Sequence, residues 1–439
     1  MSPSGLVHKL WRTGFAWGFL SQGASSATNF GVTLLGGRIA GAAGLGAIFL
    51  GFLVYLLGLG TQRALLCDPL VARSTTLPPA ERARIARCGM TMSLALGGLA
   101  TAVAALLSRV DPSSIGHGVG LFAPWLLPAL LQDYWRAVLF RDGRGRAAAA
   151  NDSLWALTMI LTAPLAFHVG TEWAAVACWG AGATVGAVTG LIQTGTAPAA
   201  PRASFGWWRA QAWPLGKWLS GSFAVFTLGV QVLIFVLSGI LTTRALGGFR
   251  AGQSIFAPLT LIAPALSLPG LPYLAERVRS SPAQAVRTAA KIGLGGAALG
   301  VAYLAVMAGT GGRVMEWVYG RSFAEFDGLV WPFGVGQLFT IGSIGFALLL
   351  RVQSRGRAMF AGRAVGAVSG LGLGVAGALA FQVSGAAWGA TLGSAMAGLT
   401  MVLLATRPLS PEELSSAGLE PGPEEGMLVP GEPEGTPVP

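Results

Sequence analysis

Gly36-Gly37-Arg38-Ile39-Ala40-Gly41-Ala42-Ala43-Gly44-Leu45-Gly46-Ala47-Ile48-Phe49 contains a single charge, Arg38, and stands where two apolar stretches meet. Those stretches, residues 13–36 and 42–64, are each long enough to cross a bilayer. A glycine-rich break carrying one arginine between two such stretches reads as a tight turn at a membrane surface. The pattern returns later in the chain: Arg38-Ile39-Ala40-Gly41 followed by Gly46 is echoed by Arg244-Ala245-Leu246-Gly247 followed by Gly252. Two further matches follow in the same order. The run from Asp68 to Arg73 resembles that from Leu271 to Arg277, and the run from Leu139 to Ala147 resembles that from Leu349 to Ala358. The three are displaced by between about 203 and 211 residues, which indicates two homologous halves.

Working outward from this turn, twelve apolar stretches of spanning length emerge: residues 13–36, 42–64, 89–108, 119–140, 153–170, 173–193, 218–242, 252–274, 292–310, 328–350, 364–383 and 385–406. Composition agrees with this count. Hydrophobic residues make up 53% of the 439-residue chain and charged residues only 11%, too few to coat a water-soluble globule, which carries about 25%. The fold class is an all-α polytopic membrane protein with about 12 transmembrane helices in two homologous six-helix bundles. Because six is even, the two bundles have the same orientation.

Lys and Arg fall 21 on one side of this twelve-span arrangement and 6 on the other, with only Arg63 and Arg136 inside spans. Such a bias places both termini in the cytoplasm. It also accounts for the net charge of +11 without nucleic acid as a partner. The expected divisions are residues 1–195 and 218–407 for the two bundles, joined by 196–217. In that linker Trp207, Trp208, Trp213 and Trp218 interleave with Arg209 and Lys217, which suits an amphipathic helix at the lipid interface. Residues 408–439 hold eight prolines, five glycines and seven acids, so they read as a disordered cytoplasmic tail with little to bury. Lys9 and Arg12 precede the first span and Ser25-Ser26-Ala27 lie within it, as in a cleaved leader, yet the apolar character persists through Leu35 and a retained helix is expected.

Three cysteines and three histidines lack ligand spacing, so no metal is expected. No GxxxxGK[ST] loop is present and no loop is large enough for a catalytic domain, so neither a cofactor nor an enzymatic activity is expected. The most charged outer loop, with Glu316, Arg321, Glu325 and Asp327, is about 17 residues long and reads as a solvated connector.

The run from Gly36 to Phe49 resembles the loop between the first two helices of polysaccharide flippases, a family that includes the O-antigen flippases. They belong to the multidrug/oligosaccharidyl-lipid/polysaccharide exporter superfamily. Val318-Tyr319-Gly320-Arg321-Ser322-Phe323 resembles their short motif before the tenth helix, and Arg355-Gly356-Arg357 the basic loop after it. Ser384-Gly385-Ala386-Ala387-Trp388-Gly389-Ala390 is similar to the start of their twelfth helix, and the likeness covers about 400 residues. The resemblance implies a V-shaped pair of bundles around a central cavity, working by alternating access in a bacterial plasma membrane. The implied cargo is a polyprenyl-pyrophosphate-linked glycan, with membrane lipids, a polysaccharide polymerase and glycosyltransferases as partners. The chain departs from lipid II flippases in having no charge within its first span. It departs from drug-extruding relatives in having no acid in its first or seventh span.

A pyrophosphate-linked sugar crossing hydrocarbon needs a hydrated path with cationic, hydroxyl and amide groups, and charges inside spans are the first candidates. Arg38 and Arg244, placed as equivalents at the outer ends of the first and seventh spans, would receive the pyrophosphate or else tether tight loops by bonding helix-terminal carbonyls. Arg63 would meet it on entry or snorkel to the headgroups. Gln22, Ser25, Ser26, Asn29 and Thr33 fall on one face of the first span, for sugar hydroxyls or for packing. Asp133 and Arg136, three apart, would form an ion-coupling site or a structural pair. Pro258, Pro264, Pro269 and Pro272 mark the eighth span as a bent, hinge-like helix. The function expected is the flipping of lipid-linked oligosaccharide or polysaccharide repeat units. The alternatives are an ion-coupled multidrug or small-metabolite exporter and, from another class, a membrane glycosyltransferase or polymerase.

Overall fold

The computed structural model describes residues 3–74, 77–261, 274, 277–278, 281–310, 313–353 and 355–408, and these are helical throughout, with no strand among them. Hydrocarbon offers no partner for a backbone N–H or C=O, so a chain this apolar must satisfy them within helices.

The first helix, α1 (Pro3–Gln62), contains two passes separated at Gly41, whose φ of 66° and ψ of −167° are open to glycine and strained for other residues. It continues through a π-helical turn (Arg63–Cys67) into α2 (Asp68–Ser74). Four single passes follow: α3 (Pro79–Val110), α4 (Ser114–Arg141), α5 (Gly145–Val169) and α6 (Glu172–Thr194). A short α7 (Pro201–Trp207) and a second π-helical turn (Trp208–Ala212) run directly into α8 (Trp213–Ile240). The eighth pass opens with α9 (Thr243–Ile255) and a 3-10 turn (Ala257–Leu261). Pro258 sits where α9 gives way to that turn, whereas Pro264, Pro269 and Pro272 lie outside the described residues, as does the tail from 409 onward.

The remaining passes are α10 (Pro282–Ala308), then a 3-10 stretch (Arg321–Leu329) leading into α12 (Val330–Gly342) and α13 (Ile344–Val352), and finally α14 (Gly356–Thr406). Between α10 and the 3-10 stretch lies the short α11 (Val314–Tyr319). The last helix folds back on itself at Phe381 and Gln382. With both arms of α1 and of α14 counted, the described helices fit an all-α polytopic membrane protein of about twelve passes in two six-helix bundles of the same orientation. Large apolar side chains on outer faces, such as Ile160, Leu161, Ile192 and Leu379, are about two-thirds exposed or more, the arrangement expected of a surface bathed in lipid.

The bundles meet where the second arm of α1 crosses α9. One face of that arm (Leu45, Phe49, Leu53) enters the core of the second bundle and the opposite face (Ile48, Phe52, Tyr55) enters that of the first. At the crossing the backbones nearly touch. A Cβ on Gly46 would lie 1.9 Å from the Thr243 carbonyl oxygen, and one on Gly247 would lie 1.8 Å from that of Ala42. The contact is reciprocal, pairing 42 with 243 and 46 with 247, a register of 201 residues. This corrects the sequence alignment of Arg38 with Arg244. Arg38 lies in the last turn before the break at Gly41, whereas Arg244 lies in the first turn of α9, after the break that ends α8. Between the bundles Trp207 is buried and Trp208 donates from Nε1 to the Leu65 carbonyl at 3.1 Å, while Trp213 and Trp218 stay exposed.

Two substitutions test this architecture. Gln382 holds φ 55° and ψ −141°, a strained conformation for a residue with a side chain, so Gln382→Gly should raise stability by about 1 kcal/mol. Gly247→Ala should cost about 1–3 kcal/mol by forcing α9 off α1. Thermal unfolding in detergent reads both, and shifts of the opposite sign would contradict the stated geometry.

Candidate functional site

A cavity of about 930 Å³ opens between the bundles, walled on one side by the first arm of α1 and on the other by α8, α9, α12, α13 and α14. Three guanidinium groups line it, Arg250, Arg351 and Arg363, and no carboxylate does among the described residues. Hydroxyl and amide groups of Ser26, Asn29, Gln253, Gln337 and Thr340 complete its polar surface.

Arg250 stands about two turns past the start of α9. Its guanidinium carbon stands 5.0 Å from the ring centre of Phe49 and 5.3 Å from that of Phe52, both on the second arm of α1. Two aromatic faces offset part of the cost of a charge inside the membrane. No carboxylate among the described residues pairs with it. The wall beside it is fixed by polar contacts: the Ser254 and Tyr319 hydroxyls lie 2.5 Å apart, and the Tyr303 hydroxyl donates to the Ile255 carbonyl at 2.7 Å. Sequence hydropathy starts the eighth span at residue 252 and so leaves Arg250 in an outer loop. The helix begins at Thr243.

The polar stripe of the first span divides. Ser26 and Asn29 face the cavity. Gln22 turns to the first bundle, where its Oε1 accepts from Arg136 at 2.9 Å. Ser25 is outside the cavity lining, and its carbonyl accepts from the Thr28 hydroxyl at 2.8 Å. Thr33 spends its hydroxyl on the Asn29 carbonyl.

Asp133 and Arg136 do not pair with each other. Asp133 accepts two bonds from Arg63, from Nε at 2.9 Å and from Nη2 at 2.5 Å. Arg136 instead approaches Asp152 at 3.5 Å. A bidentate bond across helices outweighs an i,i+3 pair on one helix, which is worth only a few tenths of a kcal/mol. Asp152, missed because hydropathy starts its span at residue 153, lies two turns inside α5 and is almost fully buried. It accepts from the Ser21 hydroxyl and from Gln132 Nε2 at 2.6 Å, and Gln132 also donates to Asn151. Arg63 therefore pairs within the first bundle and is not among the cavity-lining residues.

Arg38 and Arg244 also lie outside the cavity lining. Arg38 donates from Nε to the Val318 carbonyl at 2.6 Å and from Nη2 to the Trp317 carbonyl, at the C-terminal end of α11, where a helix attracts positive charge. Arg244 pairs with Glu325 at 2.5 Å and reaches the Ser322 carbonyl. Both arginines fasten the segment from Val314 to Leu329 across the Gly41 end of the molecule. Arg38 thus follows the tethering alternative, bonding the carbonyls of α11 across the bundles. No three His, Cys, Asp or Glu side chains gather as a metal ion would need, among the described residues.

No family model matches the sequence, and no curated protein matches it either. Solved structures do. The lipid II flippase MurJ in an inward closed conformation aligns with a TM-score of 0.67 at 12% identity, over 91% of this chain and 89% of that one. An inward-facing multidrug resistance transporter of the MATE family, in the MOP superfamily, aligns at 0.61 with 15% identity over 90% and 95%. A MOP superfamily transporter from Pyrococcus furiosus, described by the reverse polarity of its binding pocket, aligns at 0.54 with 14% identity over 93% and 96%. The chain is a multi-pass membrane protein with the fold of MOP superfamily transporters.

The two internal ion pairs differ in burial. Arg63 is 44% exposed, so Asp133→Asn should cost about 1.5–3 kcal/mol. Asp152 is 2% exposed and Arg136 13%, so Asp152→Asn should cost about 3–5 kcal/mol by stranding a buried guanidinium. Thermal unfolding of both variants reads the order, and an equal or reversed ranking would contradict it.

Proposed function

We propose that the protein is an alternating-access transporter that moves a lipid-linked oligosaccharide or polysaccharide repeat unit across a bacterial plasma membrane. The observation that carries this reading is a cavity lined by three arginines and, among the described residues, by no carboxylate. Such a cavity attracts a polyanion and repels an organic cation. Arg matches phosphate oxygens with a planar fork of donors, and the hydroxyls and amides around it suit sugar hydroxyls. About 930 Å³ holds a pyrophosphate with a few sugars while the polyprenyl tail stays in lipid. The bias of 21 basic residues to 6 supports an orientation with both termini cytoplasmic and the Arg38 end outside. Glycosyltransferases would then supply the cargo and a polymerase would consume it.

A second reading, an ion-coupled multidrug or small-metabolite exporter, draws on the buried carboxylates Asp133 and Asp152 of the first bundle, since intramembrane acids serve as coupling sites. A glycosyltransferase or polymerase has less support, because two of the three acids of the Val314–Leu329 segment are engaged: Glu325 with Arg244, and Asp327 with the Met315 N–H at 2.9 Å.

Mass spectrometry of polyprenyl-linked glycans in cells depleted of the protein tests the first reading. One lipid-linked oligosaccharide should build up, shielded from an externally added glycosidase, and Arg250→Gln should complement at least about tenfold less well than the wild type. An unchanged pool in a host without a redundant flippase would overturn it. In that case drug efflux abolished by Asp133→Asn would establish the exporter.

A further inference from the structure

We propose that the first bundle carries a second anion site, for a phosphate mono- or diester, at the end of the molecule opposite Gly41. The site is a pocket of about 280 Å³ between the start of α3, the turn joining α4 to α5, and the end of α6. It shares no residue with the central cavity. Its charged groups are Arg82, Arg141, Arg144 and Asp142, and the threonines Thr194 and Thr196 line its far side.

The charges do not balance. Asp142 gives one oxygen to Arg141 Nε at 2.9 Å and the other to Nη2 at 3.1 Å. Arg141, only 1% exposed, also donates to the Ser74 hydroxyl and the Arg82 carbonyl, so its guanidinium is neutralised and held in place. Arg82 comes no nearer to Asp142 than 3.9 Å, beyond hydrogen-bond length. Arg144 has no carboxylate partner among the described residues. Two positive charges are therefore uncompensated around one small, mostly polar pocket.

The Arg82 side chain is 28% exposed beside the pocket while its Nε is buried without a hydrogen-bond partner, so an acceptor in the pocket reaches the terminal nitrogens. The start of α5 adds to the field: its N-cap is Arg144, with no side-chain cap, so the positive end of the helix dipole faces the same turn. A tetrahedral phosphate offers acceptors to the terminal nitrogens of Arg82 and to the Arg144 guanidinium together. The volume admits a phosphate and little more of its ester.

The place fits either of two sources. The pocket lies where α4, α5 and α6 leave the membrane, so the headgroup phosphate of an anionic lipid reaches it from the side and a soluble phosphate from the water. Occupancy would bind α3, the α4–α5 turn and the first residues of the connection to the second bundle into one unit, stiffening the joint between the bundles.

The test uses the full-length protein in nanodiscs of phosphatidylcholine, with either phosphatidylglycerol in the bilayer or glycerol phosphate in the buffer as probe. Native mass spectrometry reads retained adducts and thermal unfolding reads stabilisation. Arg144 is exposed, so Arg144→Gln should fold normally. It should weaken binding about tenfold, and Arg82→Gln/Arg144→Gln further, while Arg209→Gln, a basic surface change elsewhere, leaves it unaltered. Retention of phosphatidylglycerol lost in Arg144→Gln would assign the site to a lipid headgroup. Stabilisation by glycerol phosphate lost in the same variant would assign it to a soluble ester. Binding of neither probe, or binding equal in Arg144→Gln and wild type, would overturn the proposal.

Discussion

The crossing of α1 and α9 at Gly46 and Gly247 sets the distance between the two bundles, and most of what distinguishes this molecule depends on that distance. With backbone against backbone, the second arm of α1 serves both cores at once. The same approach brings Phe49 and Phe52 over the Arg250 guanidinium, which gives a charge within the membrane a place to reside. It also brings Arg38 within reach of α11, and Gly41 beside Ser322. A methyl group on either glycine would loosen all of these contacts together.

The two bundles use their charges differently. The first spends its buried charges internally: Arg63 on Asp133, Arg136 on Asp152, Arg141 on Asp142. The second leaves Arg250 and Arg351 facing a cavity that no acid lines among the described residues. The contrast is sharpest within the sequence repeat itself. Arg141 and Arg351 each stand in the last turn of a helix, in the matched runs beginning at Leu139 and Leu349. The next residue is Asp142 in one case and Val352 in the other, so one arginine is neutralised on the spot and the other projects into the cavity wall. A single position in the repeat thus separates a structural arginine from a candidate binding one.

About twelve passes and the turn at Gly41 were legible in the sequence, because hydropathy and glycine punctuation are local signals, whereas Arg351 read as one more basic loop residue. Arg250 and Asp152 were not legible, for one shared reason. Hydropathy ends a span where charge begins, yet charges can sit inside a span wherever a cavity or a polar network receives them. The helices holding these two residues start nine and eight residues earlier than the apolar stretches suggest. The partners of Asp133 and the division of the Gln22–Thr33 stripe were hidden for another reason. Helical periodicity states which residues share a face, and only packing states what that face meets. The sequence echo of Arg38 in Arg244 was real as a pattern, but five residues out of the register fixed by the glycine crossing.

The contacts closing the Gly41 end are unlike those inside the first bundle, and the difference bears on how an alternating-access cycle would run. Arg38 and Arg244 are both exposed, and their bonds go to main-chain carbonyls and to an exposed Glu325. In a high dielectric such bonds exchange readily for water. In the Arg136–Asp152 pair the carboxylate is almost fully buried and held by Ser21 and Gln132, so water replaces a lost partner there far less readily. Opening the Gly41 end therefore breaks inexpensive contacts and leaves the costly ones intact. On the proposed alternating-access reading, the first bundle would move as a rigid body, with the glycine crossing as the place where its motion would pass to the second.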